Sequence, residues 1–118
     1  MSGSADALFK RFYQHFLENP AVAEMFESTD MERQVQMLKR SLFHVVAFYV
    51  TGSPGPELKR VAEMHRHLAL RPEMFDGWLK ALIATVKELD VAADEKTLLA
   101  WCWALTPGLT YMRLSLEA

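Results

Sequence analysis

Four side chains in this sequence have the chemistry to do more than pack: His65, Tyr13, Gln34 and Trp78. Leu58, Val61, His65 and Leu68 recur at i, i+3, i+7 and i+10, which puts them on one helix face. Lys59, Arg60, Glu63, Arg66 and His67 point elsewhere. His65 is thus an imidazole inside an apolar stripe, and each buried ring nitrogen needs a partner, at a cost of roughly a few kcal/mol if it lacks one. The partner is either a side chain or backbone carbonyl, as for an ordinary core histidine, or a metal, because neutral imidazole is a common metal ligand. Tyr13 sits in the centre of a second apolar face, made by Phe9, Phe12, Phe16 and Leu17 opposite Lys10, Arg11, Gln14 and His15. It is either a core tyrosine bonded to a carbonyl or a hydroxyl aimed into a pocket. Gln34 lies at the edge of a third stripe, where a glutamine commonly reaches water. Cys102 has no acidic or basic neighbour on its helix face, so it reads as packing and not as a nucleophile. His65 and His67 are two residues apart and do not chelate together from a helix.

The composition narrows what these groups serve. A chain of 118 residues fits one domain, spanning 1–118, with one modest core. With 51% hydrophobic and 24% charged residues it has a soluble globular composition. Seven Phe, three Trp, three Tyr and seven Met are a heavy load of large apolar side chains for this length. Such a load fills a core or lines a pocket for a flat apolar ligand. The net charge of −2 is made of interspersed signs, so no basic field points to nucleic acid. The lone cysteine excludes an intramolecular disulfide and a cysteine metal cluster, and is compatible with a reducing cytosol. The opening MSGSADALFKRF lacks a long apolar run, so neither a signal peptide nor a membrane span is visible and a cytoplasmic address is expected. No Gly-rich phosphate loop, His-Glu-x-x-His helix or Cys-x-x-Cys pair occurs.

Every element that positions the four residues reads as helix. Ala5 to Leu17 carries Tyr13. Asn19 caps, and Pro20 opens, a short helix reaching about Phe26, a bulky aromatic at a helix-to-loop corner. Thr29-Asp30-Met31-Glu32 has the form of a capping box for a helix to about Tyr49, whose stripe is Met31, Val35, Leu38, Leu42, Val45 and Tyr49. His44 falls off that stripe. Thr51 to Pro56 is a loop, and Pro56 starts the helix carrying His65, ended by Arg71-Pro72. A helix from about Glu73 to Leu89 presents Phe75, Trp78, Leu79, Leu82, Ile83 and Val86, with Gly77 allowing close approach of another backbone. Asp94 caps a last helix, from about Glu95 toward Ser115, which Pro107-Gly108 should bend or split. No strand survives, so the fold class is all-α.

In that order these features resemble bacterial globins, in particular the short single-domain kind of truncated-haemoglobin and flavohaemoglobin-like type. Phe12-Tyr13 looks like the Phe-Tyr pair of the globin B helix, whose tyrosine faces the distal side of the haem. Asn19-Pro20 and Phe26 look like the C helix and the corner phenylalanine that packs on the haem. Gln34 and Leu38 fall where the distal E helix places a polar gate and an apolar neighbour. His65 with Leu68, Leu70 and Arg71-Pro72-Glu73 looks like the proximal histidine and its downstream run. Trp78, thirteen residues on, is similar to a G-helix tryptophan of several truncated-haemoglobin groups. The match runs from about Leu8 to Met112. It departs in having no room for a normal A helix before Leu8 and no doubled glycines between Thr51 and Pro56. Phe75 stands where flavohaemoglobins carry a tyrosine, no equivalent of their proximal glutamate is found, and there is no reductase domain.

The resemblance implies a globin-like helical sandwich holding haem b, with His65 as iron ligand. Phe9, Phe26, Leu38, Phe75 and Leu79 would be walls, and Tyr13, Gln34 and Trp78 candidate hydrogen-bond donors. It implies diatomic ligands (dioxygen, nitric oxide, carbon monoxide) and, for nitric oxide dioxygenation, a separate reductase as electron source. Phe75 speaks against peroxidase work. The reading from a different class is a haemless globin-like module for protein interaction or stress sensing, with His65 a satisfied core histidine. A third places Tyr13 or His44 on a sixth iron position for electron transfer.

Overall fold

Each helix of this chain starts or stops where the sequence supplies a group for its open backbone ends. The computed structural model describes residues 2–68 and 70–116, which form six helices and no strand. These are α1 (Ser2–Phe16), α2 (Pro20–Met25), α3 (Met31–Thr51), α4 (Pro56–Arg66), α5 (Glu73–Leu89) and α6 (Glu95–Ser115). Residues 2–7 extend α1 and form no helix of their own. The Asn19 side chain accepts from the Ala21 N–H ahead of Pro20 at the first turn of α2. The Asp94 carboxylate accepts from the backbone N–H and the hydroxyl of Thr97, both at 2.9 Å. That pairing, first the backbone bond and then the side-chain one, holds the Asp94 carboxyl below its ordinary range.

The start of α3 corrects the sequence expectation. The capping residue is Asp30 and not Thr29, its carboxylate accepting from the N–H groups of Glu32 and Arg33. A carboxylate one position on is the better acceptor at a helix N-terminus, because it also meets the positive end of the macrodipole. The helix runs past Tyr49 to Thr51, where Gly52 at φ 73° turns the chain out in the left-handed region. Tyr49 is 48% exposed and leaves the stripe to Phe48, whose ring meets Tyr111. The helix bearing His65 is shorter than expected. It ends at Arg66, so Leu68 follows it in a turn, half exposed.

The core is built around Phe12, which is fully buried and meets the rings of Tyr13, Phe16 and Trp78. Leu58 of α4, Leu82 of α5 and Leu105 of α6 complete it. Thr85 is the buried polar residue among those described, and its hydroxyl donates to the Ala81 carbonyl at 2.7 Å. Helix α1 lies against α5, and Arg11 and His15 both pair with Glu88 across that seam at 2.6 Å.

The close approach expected at Gly77 falls instead at Gly108. A Cβ on Gly77 would meet nothing within 4 Å, whereas one on Gly108 would come within 2.7 Å of Val45 Cγ1 and 3.3 Å of Val45 Cα. Gly108 is therefore the close-approach residue, seating α6 on α3. Nor does Pro107 split α6, which is continuous through it. Proline removes the donor for the Trp103 carbonyl, and Trp103 is two-thirds exposed, so water can serve that carbonyl without breaking the helix.

Candidate functional site

All six helices contribute to one cavity of about 200 Å³. Tyr13 and Phe16 enter from α1, Val22 and Met25 from α2, with Phe26 at its end. Helix α3 gives Gln34, Met37, Leu38, Ser41, Leu42 and Val45, and α4 gives Val61, Met64 and His65. Leu68, Leu70, Met74, Phe75, Trp78, Leu109 and Met112 close it. No charged side chain is in this lining. The structure thus brings Tyr13, Phe26, Gln34, Leu38, His65, Phe75 and Trp78 to one space. Phe9 and Leu79, the other two expected walls, are not in this lining: Phe9 is buried in the core a turn before Tyr13, and Leu79 packs on the core.

His65 sits on the last turn of α4, and its Nδ1 lies 2.7 Å from the Val61 carbonyl. A carbonyl only accepts, so Nδ1 carries the hydrogen. In the neutral ring the lone pair is then on Nε2, the nitrogen turned away from the helix backbone. This is the arrangement that orients a histidine for a metal. Among the described residues no three His, Cys, Asp or Glu side chains converge to hold an ion. An ion on His65 would accordingly bring its other ligands with it, as iron in a porphyrin does.

The second polar group is a pair. Gln34 Nε2 donates to the Tyr13 hydroxyl oxygen at 3.1 Å. The Tyr13 O–H hydrogen is left free to donate to something else. Burial raises the Tyr13 phenol above its ordinary value, against a smaller opposite effect of the Gln34 bond, so it stays a donor. The rings of Phe12 and Phe26 hold it edge-on at 5.0 and 5.7 Å. Trp78 is half-buried in the wall, its ring against Phe12 at 5.3 Å.

Several lining residues were not among the expected site residues: Phe16, Val22, Ser41, Leu109 and, above all, methionines. Five of the seven methionines, Met25, Met37, Met64, Met74 and Met112, line this cavity. The count of seven was the available signal; their spacing along the chain shows no helical period linking them.

Six helices stacked around an apolar, histidine-bearing cavity are an arrangement of the haemoglobin type. A solved structure, that of the Pseudomonas aeruginosa PAO1 protein PA3967, described as structurally highly homologous to a human haemoglobin, superposes with a TM-score of 0.86. It shares 30% sequence identity, over 97% of this chain and 91% of that one. The chain belongs to the globin family. It is also 30% identical over 105 residues to a flavohemoprotein of Rhizobium meliloti (strain 1021), covering 83% of this chain and 26% of that protein. A flavohemoprotein of Halalkalibacterium halodurans is 30% identical over 102 residues, 81% of this chain and 25% of that one. The chain therefore spans about a quarter of the length of these two relatives. No protein-family model matches it. No described helix is long and apolar enough to cross a membrane.

The residues fit the group that the family implies. A porphyrin needs an apolar slot without buried charge and one axial ligand on a helix, and this lining offers both. The sole cysteine, Cys102, lies outside the lining, so the cavity offers no thiol for covalent attachment.

Proposed function

We propose that this globin binds haem b and uses it to hold diatomic gases, with His65 as the iron ligand. The observation that carries the reading is the His65 Nδ1–Val61 carbonyl bond, which leaves Nε2 with a lone pair at an uncharged cavity wall. When bound, the haem supplies an iron that takes up dioxygen, nitric oxide or carbon monoxide. The chain's own contribution is the setting. Phe26, Leu38 and Phe75 keep water out of the slot, and the Tyr13 hydroxyl, held by Gln34, donates to a ligand that carries partial negative charge. Trp78 is a second candidate donor from α5.

The partner of the proximal nitrogen favours gas binding over peroxide chemistry. A carboxylate beside a histidine draws its proton and makes the ring a stronger electron donor; a neutral carbonyl does so much less. His65 has the carbonyl, and Phe75, an unreactive ring, stands in the wall. Nitric oxide dioxygenation needs electrons after each turnover, and the flavohemoproteins are about four times as long as the matched stretch. A separate reductase would serve as donor here.

The test is the visible spectrum of protein purified with and without added haemin. A Soret band that titrates to one haem per chain, and that His65→Gly abolishes unless imidazole is added, supports the reading. Protein that takes up no haem, or a His65→Gly variant with an unaltered spectrum, rejects it.

A further inference from the structure

The concentration of thioethers around one cavity has a use beyond filling space. Of the five cavity methionines, Met74 and Met112 are buried, each 6% exposed. Met37 on α3 and Met64 on α4 are 39% and 54% exposed, so they stand at the opening, on two different helices. Leu68 lines the same cavity, half exposed. An apolar rim excludes water from the slot, and leucine would do this as well as methionine. The thioether differs in one respect: it can be oxidised and restored.

We propose that Met37 and Met64 form an oxidisable lip, a modification site for peroxides that sets how tightly the cavity keeps its ligand. The inference rests on the reading of that ligand as haem. A hydroperoxide transfers one oxygen atom to the thioether: the O–O bond breaks, an S–O bond forms, the sulfur loses two electrons, and the peroxide leaves as water or alcohol. The sulfoxide is a strong hydrogen-bond acceptor with a large dipole, so it seeks water where the thioether avoided it. Two such changes, one on α3 and one on α4, uncover the opening. Met74 and Met112 are shielded, so the outer pair is modified first. Sulfoxide reductases reverse the step. Cys102, partly buried on α6, is the competing thiol and lies outside the lining.

The experiment treats haem-loaded protein, ferrous and saturated with carbon monoxide, with graded hydrogen peroxide, followed by catalase. Peptide mass spectrometry locates each added oxygen atom, and transfer of haem to excess apomyoglobin gives the loss rate. Oxidation of Met37 and Met64 ahead of Met74 and Met112 is expected. It should be accompanied by haem loss about tenfold faster, the change that ~1.4 kcal/mol of affinity gives. Methionine sulfoxide reductase should restore the slow rate, and Met37→Leu/Met64→Leu should hold its own untreated rate after peroxide. Equal oxidation of the buried pair, an unchanged loss rate after full oxidation of the lip, or equal acceleration in the leucine variant would each overturn the proposal. If the protein takes up no haem, the functional reading fails separately. The lip is then judged on the haem-free chain, by the same oxidation order and by release of the apolar dye anilinonaphthalene sulfonate, which must follow Met37 and Met64 or the proposal falls.

Discussion

Tyr13→Phe removes one oxygen atom and leaves the ring in the same aromatic cage. The edge contacts to Phe12 and Phe26 do not involve the hydroxyl and survive. Two separable losses follow. The bond from Gln34 Nε2 at 3.1 Å goes, and a net intramolecular hydrogen bond is worth about 0.5–1.5 kcal/mol of stability. If Tyr13 donates to bound dioxygen as proposed, that bond also goes, and bonds to groups carrying charge are worth about 1.5–3 kcal/mol. At about 1.4 kcal/mol per factor of ten, dioxygen should leave roughly 10- to 100-fold faster. Carbon monoxide carries little negative charge, so its dissociation should change much less. Stopped-flow displacement of each gas from wild type and variant gives both rates, and thermal melts give the stability difference. Gln34→Leu is the companion variant, because it keeps the hydroxyl and deletes its holder; it should give a smaller change than Tyr13→Phe. If the two gases accelerate together, the pocket has loosened and the bond is not the cause. If the dioxygen rate stays within about twofold (~0.4 kcal/mol) in Tyr13→Phe and in Trp78→Phe alike, neither group donates, and Tyr13 is a core tyrosine.

His65→Gly should lose haem in gel filtration and regain it with added imidazole, whereas His67→Ala, on an exposed cap residue, should retain haem like the parent. Phe12→Ala should cost about 3–5 kcal/mol in denaturant melts, as a fully buried aromatic does; a cost under ~1 kcal/mol would mean that the site collapses. Gly108→Ala should cost about 1–3 kcal/mol by overpacking against Val45, and a neutral result would show that α3 and α6 separate freely. Because burial raises the Tyr13 pKa, the folded state binds that proton more tightly; stability should fall as pH rises past the ordinary value of 10.0, and Tyr13→Phe should flatten that slope in alkaline melts. For Asp94 the sign is opposite: its lowered pKa contributes stability present above the ordinary value of 3.8 and lost as pH falls through the folded value, so Asp94→Ala should matter at neutral pH and cease to matter in strong acid.

The helices were legible because period and punctuation agree: Asn19-Pro20, Gly52, Pro56 and Asp94 each act locally, through their own backbone neighbours. What failed was set by distant neighbours. Gly77 and Gly108 look alike in sequence, and only the position of Val45, 63 residues before Gly108, decides which one needs to be glycine. The cap of α3 is a local exception: Thr29 and Asp30 both can cap, and the charged acceptor prevails because it also meets the positive end of the macrodipole. The cavity was partly legible. A helical stripe identifies which side of α1 faces inward, and so names Phe9 and Tyr13 together; it does not say where along the helix the packed core gives way to space. Leu79 lies outside the lining for the related reason that an inward face is wide enough for one residue to meet the cavity and the next a helix. The methionines carried no period, because an unbranched side chain reaches one space from many directions.

The Gly108–Val45 crossing limits how this sequence can drift. Ordinarily, bulk lost on one helix can be regained on its neighbour, so two positions in contact wander together through related chains. Here the exchange is one-way. Shrinking Val45 to alanine removes the Cγ1 atom that a Cβ at 108 would approach at 2.7 Å, yet the Val45 Cα at 3.3 Å remains whatever residue stands there. Position 45 is free to become smaller while 108 stays glycine; position 108 cannot become larger until the backbones move apart. Helix α3 also carries Gln34, Met37 and Leu38, so a lineage that surrendered this glycine would have to rebuild the wall of the cavity in the same step.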